Sequence, residues 1–130
     1  CPDLIVMNGA KALWIEVKRK SQFAYHRNSK TFVTGVDLHH WKEYLANDLY
    51  GSFPMWLFFV HETSSVHSLP FGESAVRPRP GLYFERVRWM ESHKHHEYHN
   101  HGANNFGNHG GIFWDVTKLK FVPLPALHGA

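Results

Sequence analysis

Residues 1–20, CPDLIVMNGAKALWIEVKRK, decide how the rest of this chain is read. Residues 4–7 are an apolar run, and Asn8-Gly9 follows it, a pair that tolerates positive φ and marks tight hairpins. Residues 12–20 then resume with Leu13, Trp14, Ile15 and Val17, a composition suited to a strand. With residues 8–11 as a four-residue loop, Met7 pairs with Ala12, Ile5 faces Trp14 and Asp3 faces Glu16. Opposed residues of an antiparallel pair lie roughly 4.5–5.5 Å apart at Cβ and point to the same side. Side chains repeat with a period of two, so Lys18 joins Glu16 on that side while Val17 points away. Two carboxylates and a lysine are thus expected on one patch. Opposed carboxylates repel unless a cation lies between them, and a hard divalent ion is the natural one.

Pro2-Asp3 followed, after a twelve-residue gap, by Glu16-Val17-Lys18 resembles the signature of the PD-(D/E)XK nuclease superfamily, in its phage and bacterial form. The resemblance implies an α/β, restriction-endonuclease-like mixed sheet with flanking helices, and Mg²⁺- or Mn²⁺-dependent hydrolysis of DNA phosphodiester bonds. It implies Asp3 and Glu16 as metal ligands, the Val17 backbone carbonyl as a further ligand, and Lys18 as the group that positions or activates water. The catalytic set is then Asp3, Glu16 and Lys18, with endonuclease action favoured over exonuclease. Members of the superfamily usually carry a helix before this point, so the resemblance also implies missing N-terminal sequence and an uncovered flank of the sheet. The plain alternative is an edge hairpin whose Glu and Lys face solvent.

The chain has 130 residues and reads as a single nuclease-like domain, 43% hydrophobic and therefore not disordered by composition. No stretch approaches the roughly 18 apolar residues of a membrane span, and the start is not patterned as a secretory leader. The single cysteine, Cys1, excludes an internal disulfide framework and fits a reducing compartment, the cytoplasm of a bacterial or phage-infected cell. A net charge of +3 suits a polyanionic partner without requiring one.

Beyond the hairpin, Lys18, Arg19, Lys20, Arg27 and Lys30 are interleaved with Phe23, Tyr25 and His26. Cations among aromatic rings suit a phosphate backbone and stackable bases, and Arg19, Lys20, Arg27 and Lys30 are the expected DNA contacts. Residues 34–37 read as a helix start with Asp37 as N-cap. Leu38–Tyr50 follows as a helix with its apolar stripe at 38, 41, 45 and 49, closed by Gly51. His40 and Tyr44, four residues apart, resemble the Gln-x-x-x-Tyr pair that lines the active site in branches of the superfamily, with His in place of Gln. They are the expected active-site support. An equally good reading packs both rings on neighbouring side chains.

Residues 53–61, FPMWLFFVH, read as a strand buried on both faces, giving the order strand, strand, helix, strand. Residues 63–80, rich in Ser and Pro, read as an irregular insertion, and residues 82–90 as a strand with Arg86 and Arg88 on one face. Residues 92–111 carry six histidines in a Gly- and Asn-rich frame and read as a surface loop, with DNA contact or a metal site as alternatives and no site residue assigned. Residues 111–116 and 119–125 close the domain as short strands. Two further functions stay open: a catalytically inactive nucleic-acid-binding module of the same fold, and a His-rich metal-binding structural protein. Homodimerisation is compatible with the nuclease reading.

Overall fold

Tight turn chemistry sets the first layer. In the computed structural model, which describes residues 3–67, 69–98 and 110–125, strands β1 (Leu4–Asn8) and β2 (Lys11–Lys20) pair antiparallel, with Met7 opposite Ala12 and Ile5 opposite Trp14. The pairing is the expected one, but Asn8 and Lys11 also pair, so the loop shrinks from four residues to Gly9-Ala10. Gly9 adopts φ 63°, which glycine reaches without a Cβ clash.

The chain does not go directly from β2 to a helix. The basic stretch expected to contact DNA contains β3 (Phe23–His26), and residues 31–37, expected in part as a helix start, form β4 (Thr31–Asp37). The two make a hairpin around an exposed turn in which Lys30 takes φ 52°. The order is therefore four strands before the helix. Phe23, Tyr25, Val33, Thr34 and Val36 are buried along this hairpin, and their β-branched and aromatic character outweighs the charges at its tip.

Helix α1 (Leu38–Tyr50) has the expected bounds, and the Asp37 carboxylate caps it by accepting from the His39 N–H at 2.8 Å. Its buried face is Leu38, Trp41, Tyr44 and Asp48, rotated from the expected stripe, with Leu45 half-buried and Leu49 exposed. Asp48 fixes this rotation by accepting the Met55 N–H at 2.8 Å and lying 3.5 Å from Arg88 Nε. At Gly51 the backbone approaches so closely that a Cβ would lie 2.4 Å from the Asn47 carbonyl oxygen.

β5 (Met55–His61) runs parallel to β2, Glu16 beside Leu57 and Lys18 beside Phe59. It is not buried on both faces: Met55, Leu57, Phe59 and His61 are buried, whereas Trp56, Phe58 and Val60 are half-buried on the side away from the core. The insertion holds only the two-residue strand β6 (Val66–His67). The strand expected over 82–90 stops early. β7 (Gly81–Arg86) passes into helix α2 (Val87–Ser92), so Arg86 and Arg88 do not share a strand face. Val87 and Met90 enter the core as one helical stripe, which the alternating sequence concealed. β8 (His96–Tyr98), β9 (Gly111–Asp115), a 3₁₀ turn (Val116–Lys118) and β10 (Lys120–Pro123) complete the described chain.

The architecture is mixed α/β with two five-stranded sheets, ordered β1-β2-β5-β7-β10 and β6-β3-β4-β9-β8. Among the described strands, only the β2–β5 and β3–β6 pairs are parallel. Between the sheets and α1 lies one core in which Trp41 and Trp114 meet edge to face at 4.7 Å. Among the described residues no helix is long and apolar enough to cross a membrane.

Candidate functional site

The inner side of β2 carries Trp14, Glu16, Lys18 and Lys20, because the period of two sends them toward the same side as Met55, Leu57, Phe59 and His61. Trp14 belongs to the core margin, but the three charged residues lie beyond the last β1–β2 pair, Leu4 with Ile15, toward the C-terminal end of β2. Asp3, just before β1, reaches across: its Oδ2 accepts the Val17 N–H at 2.8 Å. The register that pairs Leu4 with Ile15 sets Asp3 opposite Glu16, as the sequence predicts. Within an extended strand the N–H and C=O of one residue point to the same side, so the Val17 carbonyl is directed toward the Asp3 edge as well.

This arrangement is electrostatically loaded. Burial, and then the Asp3 carboxylate beside it, pushes the Glu16 carboxyl above its ordinary pKa, against the opposing pull of Lys18. For Lys18, burial favours the neutral amine, but the Tyr44 hydroxyl, Glu16 and Asp3 outweigh it and raise the ammonium above its usual value. Lys18 is therefore a fixed cation across the neutral range. Its Nζ lies 5.8 Å from the centre of the Tyr44 ring, which α1 delivers from its buried face. Burial likewise raises the Tyr44 phenol, with Lys18 pulling the other way. His40 is exposed one turn earlier, its ring 6.4 Å from that of Tyr44. It stands at the margin of the cluster.

Of the residues expected from sequence, Asp3, Glu16, Val17, Lys18 and Tyr44 come together, and Lys20 extends the same side. Burial, and then Lys18, lowers the Lys20 ammonium, which has no carboxylate partner among the described residues. Lys20 instead borders two cavities. One, of about 240 Å³, is lined by Ser21, Gln22, Thr34, Gly35 and His67 among others. The other, of about 310 Å³, is lined by Asp37, Tyr98, Gly110 and Gly111 among others. Arg19 points to the opposite side of the sheet, where it pairs with Glu62 at 2.7 Å. Arg27 and Lys30 are exposed in the β3–β4 turn, a separate basic tip.

Asp3 and Glu16 suit a hard divalent ion in donor type: two carboxylates whose mutual repulsion a cation would relieve, with a backbone carbonyl on the same side. No set of three or more His, Cys, Asp or Glu side chains among the described residues is placed to hold a metal ion, so such an ion would depend on this pair and on backbone or water oxygens.

Sequence reasoning missed the walls of the Lys20 cavities, because Gly35 and Tyr98 come from strands in the second sheet that local pattern did not reveal. It also missed a second cluster. His26, His95 and His96 gather across the second sheet with ring centres 4.5–4.9 Å apart. Their dense spacing in residues 92–101 was the available signal, but the partner from residue 26 lies 69 residues from His95. The rest of that histidine-rich segment, residues 99–109, lies outside the described residues. No family profile, curated protein or solved structure matches the chain.

Proposed function

We propose that this chain is a restriction-endonuclease-like, metal-dependent deoxyribonuclease of the PD-(D/E)XK type. The observation that carries the reading is the convergence of Asp3, Glu16, Lys18 and Tyr44 on one uncovered end of a parallel strand pair. A Mg²⁺ or Mn²⁺ ion held by Asp3, Glu16 and the Val17 carbonyl would supply Lewis acidity to a scissile phosphate.

The chain's own residues set the rest. Lys18, held protonated by Tyr44, Glu16 and Asp3, orients the attacking water and stabilises charge that develops on the phosphoryl oxygens. Tyr44 keeps the Lys18 ammonium at the cluster, and His40 borders the approach. Lys20 continues the cationic track away from the scissile position, where a neighbouring phosphate would lie. Arg27 and Lys30 offer a second contact for the DNA backbone at the hairpin tip. Arg19, tied to Glu62 on the other side of the sheet, has no part in this track.

The test is a Mg²⁺ and Mn²⁺ titration of plasmid and linear DNA cleavage. Wild-type cutting that depends on the metal, and that falls at least about a hundredfold in Glu16→Ala and in Lys18→Ala with circular dichroism unchanged, supports the nuclease. Undiminished cutting in either variant overturns it. One observation favours a second reading: among the described residues, the acid pair has no third acidic or imidazole side chain placed to share an ion with it. A nucleic-acid-binding module of the same fold would bind DNA in the presence of Mg²⁺ and leave it uncut.

A further inference from the structure

The three-histidine cluster lies on a different sheet from the acid pair and is built on another principle. It forms one continuous chain of hydrogen bonds. His26 Nδ1 meets the Ser29 hydroxyl at 2.7 Å, that hydroxyl meets His95 Nε2 at 3.1 Å, and His95 Nδ1 meets His96 Nδ1 at 2.6 Å. Two ring nitrogens at that distance share one proton, so one of the two must be a bare acceptor. If both rings become imidazolium, two N–H groups point at each other and the contact fails.

Surrounding elements do little to prevent that conflict. On β9, Asp115 is the carboxylate that favours a charged His95, and its Oδ1 is already engaged by the Thr117 N–H and hydroxyl. From the 3₁₀ turn, Lys118 opposes charge on His95, as does His26 from β3. The turn itself adds Arg27 and Lys30. On the histidine segment, Lys94 is bound to Glu91 and Glu97 at 2.9 Å each. His96 stacks on Phe113 at 4.8 Å, a contact permitted because Phe113 lies across Gly35, where a Cβ would sit 2.6 Å from its ring.

We propose that His26, Ser29, His95 and His96 form a proton-sensitive latch that holds residues 93–98 against the β3–β4 turn while the imidazoles are neutral and releases them as they become charged. Release would loosen β8, which is also held by its pairing with β9, the His95 N–H bond to the Phe113 carbonyl, the Lys94–Glu97 ion pair and the His96 stack on Phe113. Tyr98 on that strand walls the cavity of about 310 Å³ beside Lys20 and Asp37, so an open latch widens access to that side of the molecule. Burial, and then the neighbouring rings, depresses the pKa of His96 to about 4 and lowers that of His95. A depressed base stabilises the packed state above its ordinary pKa of 6.5 and loses that contribution as pH falls toward 4. The latch is thus closed at pH 7 and weakened progressively below 6.5. It does not depend on the nuclease reading.

Hydrogen exchange by mass spectrometry on the full chain tests this. After correction for intrinsic exchange, amides of residues 93–98 and 27–30 should lose about tenfold or more of their protection between pH 7 and pH 5. Residues 55–61 of the core report global stability and should change less. His96→Phe retains the stack on Phe113 without a titrating group, and His95→Gln retains a donor and acceptor. Either variant, whichever is folded at pH 7, should shrink the selective loss, His96→Phe the more because it removes the more strongly depressed imidazole. Equal protection at both pH values in the wild type, or a selective loss of the same size in the variants, overturns the latch.

Discussion

The acid pair, Asp3 before β1 and Glu16 on β2, and the imidazole cluster on the second sheet each bring four polar side chains together, yet they respond oppositely to charge. Around Glu16 the signs alternate: Asp3 and Glu16 against Lys18, with the Tyr44 phenol beside the ammonium. Every group there has a counter-charge, and the residual imbalance is one extra carboxylate. Around His96 the groups are of one kind, and burial, then the neighbouring rings, disfavours its protonated form. The first cluster sets two carboxylates against one ammonium, an arrangement that a cation would relieve. The second has an interior that tolerates a proton poorly. Side-chain proximity alone does not define a site; the sign and satisfaction of what is gathered decide whether it invites a ligand or resists one.

The largest expected effect separates activity from stability at the acid pair. Glu16→Gln should lower cleavage at least about a hundredfold, yet raise the melting temperature without metal by about 2–4 °C. The sign follows from linkage. A carboxyl whose folded pKa is raised binds more protons folded than unfolded, so its ionisation removes stability as pH climbs above 4.5. Calorimetry at pH 7 checks it, and an unchanged or lower melting temperature would mean that the carboxylate pair is not an electrostatic cost. Next in size, Gly35→Ala strikes the support of the imidazole cluster, since its Cβ would fall 2.2 Å from the Ile112 carbonyl oxygen. A loss of about 2–3 kcal/mol in urea unfolding is expected, with residues 93–98 losing protection at pH 7.

A histidine outside that cluster sharpens the contrast. His61 is fully buried, stacked on Phe23 at 3.7 Å, and its Nε2 meets the Thr34 hydroxyl at 2.8 Å. Burial and then Lys20 depress it to about pKa 4. Thr34→Val should cost about 1–2 kcal/mol by leaving that nitrogen unpaired, measured by urea denaturation at pH 7. A near-zero change would mean that the imidazole is satisfied in another way. The smallest effect is at the margin of the acid pair. Tyr44→Phe removes the hydroxyl that helps hold the Lys18 proton, and cleavage should fall roughly three- to tenfold with the metal requirement unchanged. A loss as large as that of Lys18→Ala would give Tyr44 a direct role.

Local chemistry made the first hairpin readable. Asn8-Gly9 marked the turn, although the loop itself is Gly9-Ala10, and the period of two then dictated which of residues 14–20 share a side. The α1 boundaries were readable for the same reason, because Asp37 caps within two residues of itself. The β3–β4 hairpin was obscured because its charged tip and short strands resemble a basic loop. The switch from β7 to α2 was obscured because Val87 and Met90 satisfy a helical stripe within a run that also alternates.

By itself, then, the sequence determined the β1–β2 register, the helix from Leu38 to Tyr50 and the side of the strand on which Asp3, Glu16, Lys18 and Lys20 lie. Each depends on interactions spanning a few residues or on a single tight turn. Tertiary structure alone decided that α1 turns Tyr44 and Asp48 inward in place of Leu49, through the bond from Asp48 to the Met55 N–H. It alone decided that two sheets form, that Tyr98 and Gly35 wall the space beside Lys20, and that His26 meets His95 and His96. Those outcomes join segments separated by tens of residues, and they are set by which faces the chain can bury together, a constraint that no local pattern carries.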